Sequence, residues 1–377
     1  MIITESVDQQ LDDLLERVGV KLQLSATVYE QAQERYTTIS EWLNDEKSIL
    51  APFKPKIYPQ GSARIGTTVK PLARREHDID LVCELEVDWE RFPQPVRLLE
   101  MVEYRLREHK LYREMMERKN RCMRVVYANL FHLDILPACP NAPAGEHCVK
   151  VPDRKAGAWK DSNPRGYALW FEATARRRVA EFRKHIEPVP AQIAAEDMQP
   201  LNRVVQLMKR HRDVRFENDC DLAPVSVALT TLAAQHYRGQ QSVNDALLWV
   251  LNGIVSSVKA LPSGERLYVL NPTNPLEDFS ERWGANPEAY RAFVESVTDF
   301  RDQWAAANEL RGMHRISSTM ERLFGETVAK EVVAEHVKAV EESRQVGGLA
   351  VKRGSGTITG ASVTGAVTIP RNNFYGG

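Results

Sequence analysis

Residues 58–85 read YPQGSARIGTTVKPLARREHDIDLVCEL, and the last eight positions of this stretch decide the fold. Asp78, Asp80, Val82 and Glu84 alternate with Ile79, Leu81, Cys83 and Leu85. On a strand, alternate side chains share a face, so the apolar set packs into a core while Asp78 and Asp80 point together into a cleft. Two neighbouring carboxylates repel each other unless cations neutralise them, a task suited to Mg2+ with its oxygen ligands. The bland reading of such a pair is an exposed strand edge. Upstream, Gly61-Ser62 argues against that: glycine lets backbone N–H groups approach phosphate oxygens, and the serine hydroxyl adds a donor.

A third acid follows the same rule. Met123–Tyr127 and Leu130–Ile135 are predicted as a strand pair turned at Ala128-Asn129. In the second strand Phe131, Leu133 and Ile135 are apolar, while His132 and Asp134 take the other face. If that strand neighbours the one carrying Asp78 and Asp80, three carboxylates meet. Three suffice for two metal ions roughly 3.5–4 Å apart, one activating a hydroxyl and one holding a triphosphate.

The rest of the chain frames this site. With 377 residues it is long enough for two domains. A hydrophobic share of 43% and a charged share of 27% place it among globular proteins. The net charge of −1 advertises no nucleic-acid partner, so any anion site must be a local basic cluster. No apolar run is long enough to cross a membrane, and MIITESVDQQLDDLLERV is acidic rather than signal-like. Five scattered cysteines read as reduced thiols of a cytoplasmic protein. Cys139, His147 and Cys148 lack a fourth ligand and read as loop residues rather than a zinc site.

The hydrophobic spacing divides the chain into an N-terminal helical brace (1–52), a mixed α/β part (53–166), a helical part (167–345) and a flexible Gly/Ser/Thr-rich tail (346–377). The many basic residues between Arg105 and Arg124 interleave with Glu108, Glu114 and Glu117, and read as a solvated helix face. Arg74-Arg75 reads equally as a nucleotide contact or a loop. The NPTNP turn at Asn271 is expected to shape the lip of the helical domain.

The run at 58–85, with LFHLDILPA (130–138), resembles the bacterial cGAS/DncV-like nucleotidyltransferases (CD-NTases) of CBASS anti-phage defence, within the polymerase-β-like superfamily. WKDSNPRGYALWFE (159–172), LMKRHRD (207–213) and LYVLNPTNPLEDFSERW (267–283) extend the resemblance to about residue 340 and make it more specific than the acids alone. It implies a polymerase-β-like core facing a helical domain, and synthesis of a cyclic di- or trinucleotide from NTPs with release of pyrophosphate. Asp78, Asp80 and Asp134 would ligate two Mg2+ ions, with Mn2+ as an alternative. Gln60, Gly61 and Ser62 would hold the donor triphosphate, aided by Lys209 and Ser226. By their local sequence alone, Lys209 sits in a helix that could simply be solvated, and Ser226 is a natural N-cap.

Two other readings compete. An RNA- or tRNA-directed nucleotidyltransferase should carry a stronger basic face than this balanced chain offers. A non-catalytic interaction protein on a decayed synthase would not be expected to keep all three acids. The chain ends Asn373-Phe374-Tyr375-Gly376-Gly377. The resemblance makes Gly377 the expected point of conjugation by an E1/E2-like ligase.

Overall fold

In the computed structural model, which describes residues 7–72, 77–128, 131–176, 198–309, 313–345, 349–352, 358–360 and 366–368, strands and helices alternate as far as residue 162. The order is α1 (Val7–Leu22), α2 (Ala26–Leu43), β1 (Lys56–Gln60), α3 (Gly61–Arg64), β2 (His77–Glu84), α4 (Val96–Glu108) and α5 (Lys110–Met115). There follow β3 (Met116–Arg118), β4 (Met123–Tyr127), β5 (Phe131–Pro140), β6 (Val149–Asp153) and β7 (Ala158–Ser162). Helices then dominate: α6 (Pro164–Ala175), α7 (Pro200–Arg215), α8 (Ser226–His236) and α9 (Val243–Lys259). A hairpin of β8 (Leu270–Asn271) and β9 (Asn274–Asp278) separates these from α10 (Glu281–Ala285), α11 (Pro287–Glu309), α12 (Met313–Phe324) and α13 (Glu326–Gln345).

The main sheet has the order β1-β2-β5-β4-β3, with β6 and β7 continuing beyond β5. Only β2 and β5 run parallel; the other pairs are antiparallel. The expected alternation holds: Ile79, Leu81, Cys83, Leu133 and Ile135 are buried in one core. Toward the far end of the opposite face, Tyr58, Val82, Ala138 and Val149 close a second, small core. There Tyr58 Oη donates to Glu84 Oε2 at 2.9 Å, while the Arg165 guanidinium lies over the Tyr58 ring at 3.8 Å. Only the Asp78–Asp80 end of that face stays open.

The N-terminal helices do not form one brace. In α1, Leu11, Leu14, Leu15, Val18 and Leu22 make a single stripe that joins the core of the helical half, against α7, α9 and α13. In α2, Ala32, Tyr36, Ile39 and Leu43 pack with the sheet core instead. Ser25 caps α2, its Oγ accepting from Val28 N, a bond worth about 1 kcal/mol. The first helix thus belongs to one wall of the molecule and the second to the other. At the junction to the helical half, Asn163 caps α6 by accepting from Gly166 N at 2.9 Å, with Pro164 at the first helical position.

Two expectations need correction. The basic run at 105–124 is a solvated face only in part: Arg107, Lys110, Arg113 and Arg118 are exposed, as expected, but Arg105 is not. Arg105 is buried, donates twice to Trp42 O (3.1 and 2.8 Å) and stacks 3.6 Å over the Trp42 ring. Arg107 and Arg118 both close on Glu103, and 116–118 is strand rather than helix. The second correction concerns 346–377. β10 (Leu349–Lys352), β11 (Ile358–Gly360) and β12 (Ala366–Thr368) form an antiparallel sheet in the order β11-β10-β12. The β-branched residues Val351, Ile358, Thr359, Val367 and Thr368 favour these strands. Gly377 and Arg74-Arg75 lie outside the described residues. Among those described, no helix is long and apolar enough to cross a membrane.

Candidate active site

Strand register brings the three acids together. Asp80 on β2 stands directly across from Asp134 on the parallel β5, with Asp78 two residues back on the same face. Gln60, the last residue of β1, is opposite Asp80 on its other side. There the chain turns sharply. Gly61 has φ +61°, and a Cβ at this position would sit 2.5 Å from Asp80 Oδ2. Glycine is therefore required twice over, by the left-handed backbone and by contact with the carboxylate. Asp80 is partly buried beneath this turn. Burial, and then the charges of Asp134 and Asp78, push its carboxyl up to about 7. Asp78 is raised by the same causes, burial first, although its side chain is half exposed.

The opposite wall is α7, whose polar side chains from Asn202 to His211 are all buried. Asn202, Gln206, Lys209 and Arg210 recur at i, i+4, i+7 and i+8, so they lie on one face. Each donates to a carbonyl of the loop that leaves α3. Asn202 Nδ2 reaches Ile65 O (2.8 Å), Gln206 Nε2 reaches Thr68 O (3.0 Å) and Arg210 Nη2 reaches Lys70 O (3.0 Å). Lys209 Nζ donates to both Thr67 O (2.9 Å) and Thr67 Oγ1 (3.0 Å). The helix clasps the Gly-Ser turn's own loop, and this fixes the two walls to each other. Burial, and then the Arg212 charge, bring Lys209 down to about 7.

Between the walls is a cavity of about 350 Å³. Gly61, Ser62, Asp78, Asp80, Lys209 and Ser226 all line it. Gln60 borders the acids without lining the cavity. A larger cavity, about 460 Å³, lies behind α3 against Gln23, Tyr29, Phe171 and Gln206. It holds none of the predicted residues and no carboxylate cluster, so the chemistry belongs to the smaller one.

Ser226 differs from expectation in its local role. The N-cap of α8 is Val225, and Ser226 is the first helical residue; its Oγ accepts a hydrogen bond from Arg212 Nη1. Arg212 also lines the cavity, and its Nε donates to Asp213 Oδ1 at 2.9 Å. The NPTNP turn is structural: Asn271 is buried, with Nδ2 donating to Glu277 Oε2 at 2.6 Å and Oδ1 accepting from Thr273 N at 2.9 Å.

Sequence reasoning missed Arg124. It stands across from Asp134 on β4. Its Nε donates to Asp134 Oδ1 and its Nη2 to Asp134 Oδ2, both at 2.7 Å, and Nη2 lies 2.9 Å from Asp78 Oδ1. These bonds raise its pKa further above the ordinary arginine range. Among the described residues no three His, Cys, Asp or Glu side chains close around one point. At the acids, Arg124 draws Asp78 and Asp134 toward itself. The donor set nevertheless fits a divalent cation: three carboxylates with hard oxygen donors share one face, and Asp80 lies partly buried beside the cavity.

Paired strand acids, a glycine turn packed on one of them and a buried lysine across the cleft make up the candidate site. Comparison with known proteins gives the family. The family described as the Second Messenger Oligonucleotide or Dinucleotide Synthetase domain matches residues 6–174. A c-di-GMP synthase of Roseivirga ehrenbergii is 30% identical, covering 100% of each chain. The cyclic dinucleotide synthase CdnG of Bradyrhizobium diazoefficiens is 28% identical over 89% of this chain and 85% of its own. The structure of a Bradyrhizobium diazoefficiens CD-NTase, CdnG, in complex with GTP superposes with a TM-score of 0.71. It has 24% identity and covers 87% of this chain and 98% of that one, so the fold is shared. The chain belongs to the CD-NTase family of second-messenger oligonucleotide synthetases. It is a nucleotidyltransferase that makes cyclic oligonucleotides.

Proposed function

We propose that the protein condenses two molecules of GTP into a cyclic dinucleotide with Mg2+, releasing pyrophosphate, as a second messenger of anti-phage signalling. The observation that carries this reading is the register of Asp80 against Asp134 beneath the Gly61 turn, facing Lys209 across one cavity. The whole-length similarity to a c-di-GMP synthase supports GTP as the substrate.

In this reading Asp78, Asp80 and Asp134 would hold two Mg2+ ions. When bound, the ions supply Lewis-acid stabilisation of the charge that builds on the reacting phosphate and on the attacking hydroxyl. The backbone of Gly61-Ser62 and the side chains of Lys209 and Ser226 hold the donor triphosphate. Arg212, beside Ser226, adds a second fixed cation. Asp134, which stands across from Asp80 without itself lining the cavity, would assist loss of the proton of the acceptor ribose hydroxyl. That oxygen then bonds to the α-phosphorus of the donor, and the bond to the pyrophosphate oxygen breaks. A second round within the linear intermediate closes the ring. The clasp of α7 on the loop at 65–70 keeps both substrates positioned without reorganisation.

The test is mass spectrometry of products formed from each NTP alone and from all four, with and without RNA. A cyclic product from GTP alone is expected. Extension of RNA, or no pyrophosphate from any mixture and metal, would overturn the proposal.

A further inference from the structure

The three acids are not equivalent, and Arg124 makes them so. Asp134 is gripped through both oxygens by Nε and Nη2, a planar fork that fixes the carboxylate's orientation as well as its charge. The same Nη2 reaches Asp78 Oδ1 at 2.9 Å, a single contact on a half-exposed side chain. Asp80, in the middle, is untouched by Arg124 in hydrogen-bonding terms and is instead pressed by the Gly61 turn. An arginine stays charged at any working pH. So one permanent positive charge stands among three carboxylates that a divalent cation would also have to join.

We propose that Arg124 is a positioning residue with two separable contacts. Its grip on Asp134 fixes that carboxylate beside Asp80 throughout the cycle. Its contact with Asp78 is the one surrendered when a divalent cation arrives. One nitrogen, Nη2, serves both contacts, yet releasing Asp78 gives up only a 2.9 Å ion-pair contact, while the Asp134 fork keeps both of its hydrogen bonds. Arg124 therefore acts as a resident counter-charge that holds the acid cluster in shape before the cation arrives, and as a competitor that weakens its capture. The inference rests on the nucleotidyltransferase reading of the acids, but not on which nucleotide is joined.

The experiment uses full-length Arg124→Gln and Arg124→Lys proteins, with two readouts. Mn2+ affinity of nucleotide-free protein is measured by electron paramagnetic resonance of the free ion, and turnover is followed as pyrophosphate release at saturating Mg2+ and GTP. For Arg124→Gln we expect Mn2+ to bind several-fold more tightly than to the native protein while kcat falls at least tenfold. Metal-free melting should drop by several degrees and recover on adding Mn2+. Arg124→Lys, which keeps the charge without the fork, should show near-native Mn2+ affinity and metal-free melting but retain the low kcat. A merely structural arginine would lower affinity and turnover together. Unchanged or weaker Mn2+ binding in Arg124→Gln, or native kcat in Arg124→Lys, would overturn the proposal. Because metal capture is read without substrate, its outcome is independent of whether GTP is the nucleotide used.

Discussion

The two walls of the cleft bury charge in opposite ways. On the sheet wall, Asp78, Asp80 and Asp134 are forced together by register, and one arginine offsets only part of their repulsion. On the helical wall, Lys209 and Arg210 are buried too, yet backbone carbonyls of the loop at 65–70 accept their hydrogen bonds. Burial moves Asp80 up and Lys209 down, each to about 7. One wall therefore lacks positive charge and the other lacks negative charge. A divalent cation carrying a triphosphate supplies both. Charge is thus unbalanced where the ligand binds, whereas where the walls join each of Asn202, Gln206, Lys209 and Arg210 has a carbonyl partner.

The strongest way to break this arrangement short of removing an acid is Gly61→Ala. The new methyl would meet Asp80 Oδ2 at 2.5 Å, and the left-handed backbone adds a cost of about 1–2 kcal/mol. We expect turnover to fall at least a hundredfold and metal-free melting to drop. Adding Asp80→Ala should restore the melting temperature in part and leave turnover at zero; a double variant no more stable than Gly61→Ala would show that the contact is unimportant.

Lys209 sharpens the helical side. Its folded pKa lies below its unfolded value, so between about 7 and 10.5 the folded protein binds fewer protons than the unfolded chain. Ligand-free stability from this group therefore rises with pH across that window. A bound triphosphate favours the charged amine. Calorimetry at pH 8 in buffers of different ionisation enthalpy should show proton uptake on GTP binding. Lys209→Gln should abolish that uptake and weaken binding about tenfold, a loss of ~1.4 kcal/mol. GTP binding by the native protein without proton uptake would contradict the assignment.

The smallest expected effect is at Ser226. Its hydroxyl accepts from Arg212, so Ser226→Ala frees that guanidinium rather than removing the charge. A few-fold rise in KM for GTP with little change in kcat is expected from steady-state kinetics. A loss as large as that of Lys209→Gln would mean that Ser226 contacts phosphate more strongly than Arg212 does.

The sheet wall was largely legible in the sequence because alternation is a local property. Ile79, Leu81 and Cys83 against Asp78 and Asp80 need no partner strand to be read. Arg124 was not legible for a reason of one residue. A turn at Ala128-Asn129 pairs Tyr127 with Leu130 and puts Arg124 opposite Leu133. The observed pairing is Tyr127 with Phe131, which moves Arg124 opposite Asp134. A slip of one position exchanges the two faces. The opposite charges of Arg124 and Asp134 were the signal that could have fixed the register. On the helical wall, LMKRHRD looks solvated because its partners are backbone carbonyls far away in sequence, which no side-chain pattern reports. The division of the N-terminal helices between two cores was hidden similarly, since both carry an apolar stripe and only tertiary packing says against what.

The central claim is that Asp80 serves catalysis at a cost to the fold. Its folded pKa is raised, so the metal-free protein should lose stability as pH rises from about 4 through 7. Asp80→Asn removes that penalty and the carboxylate together. The decisive measurement is pyrophosphate release from GTP and Mg2+ by Asp80→Asn, alongside its metal-free melting temperature at pH 8. We expect release to be undetectable while the melting temperature equals or exceeds that of the native protein. Retained pyrophosphate release from a folded Asp80→Asn protein would contradict the account.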